Sequence, residues 1–205
     1  NNVLWEAVAL TLAKNAGLKV QEWKLTKALG KSIIFLKRFD REENRRIPFI
    51  SAMSMLNAND GESGDYSYLD IAEIIRIKGV NIKEDLKELW SRMLFSILIS
   101  NTDDHLRNHG FLKLEPNGWS LSPLYDVNPS IDRTSNLQLN IDETSSATSI
   151  DLALSVADYF GLSKSEADKI LKHQITAVSE WKTIARHLGI GNAEILRCLL
   201  YTSDA

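Results

Sequence analysis

The chain holds a single cysteine in 205 residues, so no internal disulfide can brace it, and Cys198 stands alone near its end. Charge of one sign is also scarce: 24 Lys and Arg face 27 Asp and Glu, a net charge of −3. That balance excludes broad nucleic-acid binding through a basic surface. Long hydrophobic runs are missing too. The best, residues 93–99, is closed by Arg92 on one side and Ser100-Asn101 on the other. It falls far short of the about 18–20 apolar residues that a membrane helix requires. No internal repeat and no low-complexity tract interrupts the pattern. What is present is ordinary: 44% hydrophobic and 25% charged residues, enough for a real core. The length suits one domain, or one large lobe with part of another. With no signal-like segment, the expected location is cytoplasmic.

Apolar spacing predicts a helix over residues 3–14, ended by Asn15-Ala16-Gly17. Residues 19–28 alternate and 31–39 carry Ile33-Ile34-Phe35-Leu36, so the two read as a hairpin about Leu29-Gly30. A charged loop is expected at 41–46, a short helix at 48–56 and a flexible connection at 57–65. From there the chain turns helical, over 69–77 and then 83–100. The second places Leu86, Leu89, Trp90, Met93, Leu94, Ile97 and Leu98 on one face, as a core helix does. Strands follow at 110–114 and 119–121, about a Glu115-Pro116-Asn117-Gly118 turn. Residues 130–149 are polar and poorly patterned, with one short strand expected at 137–139. Helices at about 149–160, 163–186 and 191–200 close the chain, the second opened by a Ser163…Glu166 capping box.

Between the core helix and the hairpin lies Asn101-Thr102-Asp103-Asp104-His105-Leu106-Arg107-Asn108, and beyond the hairpin Tyr125-Asp126. A carboxylate, an amide at D-x-x-x-x-N spacing and a later carboxylate are how protein kinases handle a hydroxyl and a metal-bound nucleotide. In that reading Asp103 takes the hydroxyl proton. Asn108 and Asp126 offer the oxygen ligands that magnesium prefers, one or two beside phosphates and water. His105 braces the loop, and Arg107 either offsets phosphate charge or faces solvent. A competing reading gathers Asp103, Asp104, His105, His109 and Asp126 into a zinc hydrolase site, with the two histidines at i, i+4. Gly110 and the strand after it argue against the helix that this would need. His173 and His187 read as ordinary helix residues.

At these residues the sequence resembles the HipA-type serine/threonine kinases, the toxin components of bacterial toxin–antitoxin pairs. The resemblance rests on Asn101 to Asn108 running into Gly110-Phe111, on Pro123-Leu124-Tyr125-Asp126, and on Leu36-Lys37-Arg38-Phe39-Asp40-Arg41. It implies an α+β, protein-kinase-like fold: a mostly helical C-lobe with a short β-hairpin remnant of the N-lobe. By the same resemblance Asp103 is the catalytic base, and Asn108 and Asp126 hold Mg2+. His105 and Asn108 contact ATP, and the backbone of Lys37, Arg38 and Phe39 receives the adenine. Glu6 is similar to the kinase helix glutamate that pairs with a lysine. The implied partners are a protein bearing the Ser or Thr and a helix-turn-helix antitoxin, with DNA reached only through the antitoxin.

The sequence departs from the family pattern at Lys37, where an acidic residue is common, and in having no G-x-G-x-x-G loop. Family members carry that loop and the ATP lysine upstream of the first helix. The expectation is therefore a fragment, inactive alone, of a kinase that transfers the ATP γ-phosphate to a protein hydroxyl. Residues 1–47 would be the N-lobe remnant and 48–197 the C-lobe. Residues 198–205 look like the translation of a sequencing adapter, a non-native tail. The alternative function is a degenerate kinase-fold module that binds an antitoxin without catalysis.

Overall fold

The computed structural model describes residues 2–43, 45–114, 118–130 and 136–198. Helix α1 (Asn2–Asn15) buries Leu4, Trp5, Val8, Leu10, Leu12 and its alanines, apolar almost all round. Such a helix belongs inside. It ends at Gly17, whose φ of 82° a side chain would resist. Strands β1 (Trp23–Ala28) and β2 (Lys31–Leu36) form the expected hairpin, with Trp23 opposite Leu36 and Leu25 opposite Ile34. Leu29 and Gly30, both at positive φ, make its turn. The inner face lies against the core, while Ile33 and Phe35 are exposed on the outer one.

Three sequence expectations between residues 41 and 139 are corrected by the structure. The charged loop at 41–46 contains a two-residue ladder, β3 (Arg41–Glu42) against β4 (Arg45–Arg46). The helix expected from residue 48 begins only at α2 (Ala52–Leu56), because β5 (Phe49–Ser51) pairs with β6 (Gly110–Leu114). Ser51 ends the strand and caps the helix, its Oγ accepting from Ser54 N at 3.2 Å. The partner strand is some 60 residues away, so no local pattern could announce the pairing. The third correction concerns residues 137–139. They form no strand; isolated bridges flank them instead, Asn136 to Ala147 and Ser67 to Asn140.

Helix α3 (Tyr68–Lys78) opens on a capping box of Ser67 and Asp70. Helix α4 (Ile82–Leu98) is the longest at 17 residues and is the axis of the molecule. Trp90 Nε1 donates to Ala153 O at 2.8 Å, and Ser91 O accepts from Gln174 Nε2 at 2.9 Å. Those bonds fix it to α5 (Ile150–Ser155) and α6 (Lys164–Ser179). Its polar face holds β7 (Gly118–Leu121), the third strand of the β5-β6-β7 sheet. Buried Asp85 accepts from Ser120 Oγ and Leu121 N at 2.8 and 2.9 Å. The long helix expected at 163–186 breaks at Glu180 into α6 and α7 (Trp181–His187), and a short α8 (Asn192–Ile195) follows. The break lets Trp181 turn inward against Trp5, ring centroids 6.2 Å apart. Cys198 is buried in the core. The expected turn at 115–117 and the tail from 199 on lie outside the described residues. The architecture is α+β, as the sequence implied. Among the described residues no helix is long and apolar enough to cross a membrane.

Candidate active site

Helix α4 stops at Leu98, and Ser100 at φ 56° turns the chain back under it. Asn101 N then donates to Ser96 O at 2.8 Å, and Thr102 Oγ1 to Ser130 Oγ at 2.7 Å. The two aspartates that follow part company. Asp104 is only 4% exposed. Its Oδ2 accepts from Tyr68 Oη at 2.5 Å and Ser96 Oγ at 3.1 Å, while His109 Nε2 lies 3.0 Å from Oδ1. Burial by itself would raise the Asp104 carboxyl. The His109 charge and contact, with the two hydroxyls, outweigh it and hold the group below its ordinary value. Asp103, by contrast, is exposed and faces the open side of the loop. Gln138 Nε2 donates to its Oδ1.

Asn108 ends a single 3-10 turn (Leu106–Asn108) and is 5% exposed. Its Nδ2 reaches two main-chain carbonyls, Asp103 O at 3.3 Å and Asp126 O at 3.5 Å. One amide thus ties together the three residues singled out in the sequence. With the nitrogen committed, Oδ1 is the atom left for a cation. Asp126 sits at φ 52°, a left-handed conformation rare for a non-glycine residue. Its carboxylate is exposed and has no ion pair among the described residues. Two neutral or singly charged oxygen donors suit magnesium held chiefly by phosphate oxygens. They do not suit a closed zinc site. Among the described residues no three His, Cys, Asp or Glu side chains gather around one point. The zinc reading also fails in detail: Asp104 and His109 are consumed by each other, and His105 and His109 flank a turn instead of sharing a helix face.

The turn bearing Asp126 is braced from behind. Tyr125 Oη donates to Arg107 O at 2.5 Å, and its ring packs on Phe39 (5.6 Å) and Phe49 (6.2 Å). Burial, opposed by the charge of Arg92 and helped by those of Asp104 and Asp126, pushes the Tyr125 hydroxyl well above its ordinary value, so it stays a donor. Gly110 makes this possible: a Cβ there would lie 2.2 Å from Phe49 Cε2 and 3.1 Å from Tyr125 Oη. Phe39, one of the expected adenine residues, therefore stands next to the Tyr125-Asp126 turn. Lys37 N–H already donates to Glu22 O at 2.8 Å, and Arg38 is forked onto Asp40 at 2.8 and 2.6 Å. Among the expected adenine residues, then, the Lys37 amide is taken by the hairpin.

His105 stands at the N-cap position of the 3-10 turn without a side-chain capping bond, and its buried Nδ1 has no partner among the described residues, so the expected brace by hydrogen bonding is not made there. Arg107 pairs with Asp60 at 2.9 Å and faces solvent. Glu6 is half-buried on α1, and burial, then the charge of Asp126, raise its carboxyl above the ordinary range. Helix α1 thus brings its glutamate within the field of Asp126. The sequence reading missed Gln138, Phe49 and the anchoring role of Asp104. Gln138 lies in a stretch without periodicity, and nothing local marks it. The anchor had one visible sign, a second carboxylate directly beside the first.

The model of the HipA-like C-terminal domain family matches residues 1–181. Among solved structures the chain is similar to HipA of Shewanella oneidensis MR-1, determined with HipB and operator DNA. The TM-score is 0.73 at 17% identity, over 100% of this chain and 51% of that one. It is also similar to the Helicobacter pylori proinflammatory kinase CtkA, with a TM-score of 0.58 at 16% identity, over 92% of this chain and 87% of that one. No curated protein matches the sequence. The chain spans about half the length of the solved HipA. At these identities the likeness is one of fold, and that fold is kinase-like. A family match over residues 1–181 establishes that the chain belongs to the HipA-like C-terminal domain family.

Proposed function

We propose that the chain is the catalytic lobe of an ATP-dependent serine/threonine protein kinase of the HipA type. The observation that carries this is the Asn108 amide bridging the backbones of Asp103 and Asp126. It ties the backbones that carry two exposed carboxylates to a buried amide, which supports the reading. In the proposed reaction the Asp103 carboxylate accepts the proton of a substrate hydroxyl. The hydroxyl oxygen bonds to the γ-phosphorus, the bond to the β-phosphate bridging oxygen breaks, and ADP leaves. Magnesium held by Asn108 and Asp126 would neutralise charge on the phosphates. His105 would line the nucleotide loop, and the main chain from Lys37 to Phe39 the adenine. Glu6 is placed to receive a cationic partner, and no lysine or arginine pairs with it among the described residues.

Residues 1–47 would then belong to the N-lobe and 48–197 to the C-lobe. The open outer face of the β1-β2 hairpin fits a sheet continued by further strands, since a two-stranded hairpin is marginal by itself. The solved HipA is bound to HipB and operator DNA. By analogy the partner proposed here is a DNA-binding antitoxin, and the substrate a protein hydroxyl.

The test is phosphotransfer from radiolabelled ATP by the parent kinase of which this chain would be a lobe, as wild type and as Asp103→Asn. Loss of a base typically costs about 10²–10⁴-fold. Because Asp103 is exposed, the variant should melt like the wild type. Transfer that survives the substitution would remove Asp103 from its role.

A further inference from the structure

Gln138 approaches Asp103 from a segment that the sequence left unpatterned, and its position is fixed on every side. Leu137, Leu139 and Ile141 are buried, so the bent segment 136–141 exposes Gln138 between two anchors. Leu137 N donates to Ser146 O and Ile141 N to Ser145 O, both at 2.7 Å. On the other edge Asn140 O accepts from Tyr68 N at 2.9 Å, and Asn140 N donates to Tyr66 O at 3.0 Å. The same Tyr68 holds Asp104 through its hydroxyl. Backbone pairing therefore registers Gln138 to the loop that carries Asp103, and the side chain bridges the remaining gap to Oδ1.

We propose that Gln138 is a positioning residue for Asp103. Its amide N–H occupies Oδ1 and fixes the carboxylate plane, which leaves Oδ2 directed at the incoming hydroxyl. The arrangement resembles other catalytic bases that are oriented by a third group. A neutral amide suits the task, since it donates to a carboxylate and cannot take the proton in its place. Asp103 is exposed and has no other side-chain partner among the described residues, so without Gln138 it would sample several rotamers. This inference rests on Asp103 being the base.

The test has two parts. In 1H–15N spectra of the full chain, the Gln138 side-chain amide pair, assigned by its disappearance in Gln138→Leu, should shift in Asp103→Asn. An unmoved pair would mean that the contact does not form and would overturn the proposal. In phosphotransfer assays of the parent kinase, Gln138→Leu should lower kcat about 10- to 100-fold, the cost of misplacing a reacting group. KM for ATP should stay constant, since Gln138 touches no part of the proposed nucleotide site. Gln138→Glu, which sets a like charge beside Asp103, should lose at least as much. An unchanged kcat would overturn the proposal, and so would a raised one, which would make Gln138 a plug over the base. If Asp103→Asn itself retained transfer, Asp103 would not be the base, and this inference would fall with that assignment. That outcome is told apart by the Asp103 variant alone.

Discussion

Asp103 and Asp104 are chemically identical neighbours with opposite fates, and the difference lies in what each one faces. Asp104 is surrounded by donors already paid for by the fold: a tyrosine from α3, a serine from α4 and a histidine from the start of the hairpin. Asp103 meets solvent and one amide. The glycine at 110 shows the same economy of position. Phe49 lies across its Cα and completes a triangle of rings with Phe39 and Tyr125. Gly110→Ala should push Phe49 aside and cost about 1–3 kcal/mol, the usual price of overpacking, read from urea denaturation. It should also weaken magnesium–nucleotide binding, because Tyr125 steers Asp126. Full stability with unchanged binding would mean that the ring triangle does not hold the turn.

Helix α4 does two jobs on two faces. Its apolar face packs the core, while Asp85, Glu88 and Arg92 run along the other at i, i+3 and i+7. Arg92 is fully buried, with Nε on Glu88 Oε1 at 2.9 Å and Nη2 on Ser122 O at 2.6 Å. Glu88 also accepts from Lys19 N at 3.0 Å, which ties the loop after α1 to the same helix. A buried ion pair gives modest net stability, yet removing one partner strands the other charge. Arg92→Ala should therefore cost about 3–5 kcal/mol, measured by the shift in urea midpoint. Replacing Glu88 and Arg92 together with Met and Leu should recover much of that loss. If the single variant cost under about 1 kcal/mol, water must reach Glu88 and the face is not sealed.

Across the whole molecule the Asp104 carboxylate joins pieces far apart in the chain, Tyr68, Ser96 and His109. Its native value lies below the ordinary 3.8. The sign follows from linkage: a depressed carboxyl stabilises the fold fully above about 3.8 and loses that contribution as pH falls through the lower native value. Comparing wild type with Asp104→Asn should show a constant gap in urea midpoint above pH 5, closing below pH 3.8. A gap that stayed open in acid would assign the effect to packing instead of charge. Because the same network seats the loop beneath Asp103, acid should loosen the candidate site along with the fold.

Much was legible before any coordinates. The 3.6-residue spacing of Leu86 to Leu98 required a core helix, the alternation about Leu29-Gly30 required a hairpin, and Ser163…Glu166 required a helix start. Those features are local, and local stereochemistry writes them into the sequence. The spacing of Asp103, Asn108 and Asp126 likewise pointed to one place, because a helix end and a tight hairpin leave the chain few ways to run. Tertiary structure alone decided the rest. Residues 49–51 became a strand because β6 lay beside them, and helix 163–186 broke so that Trp181 could be buried. One of two adjacent aspartates turned inward because its partners arrived from three other elements, and Gln138 reached the other from 35 residues away. Pairing, burial and charge compensation act between distant segments, and only the folded chain brings those segments within reach of each other.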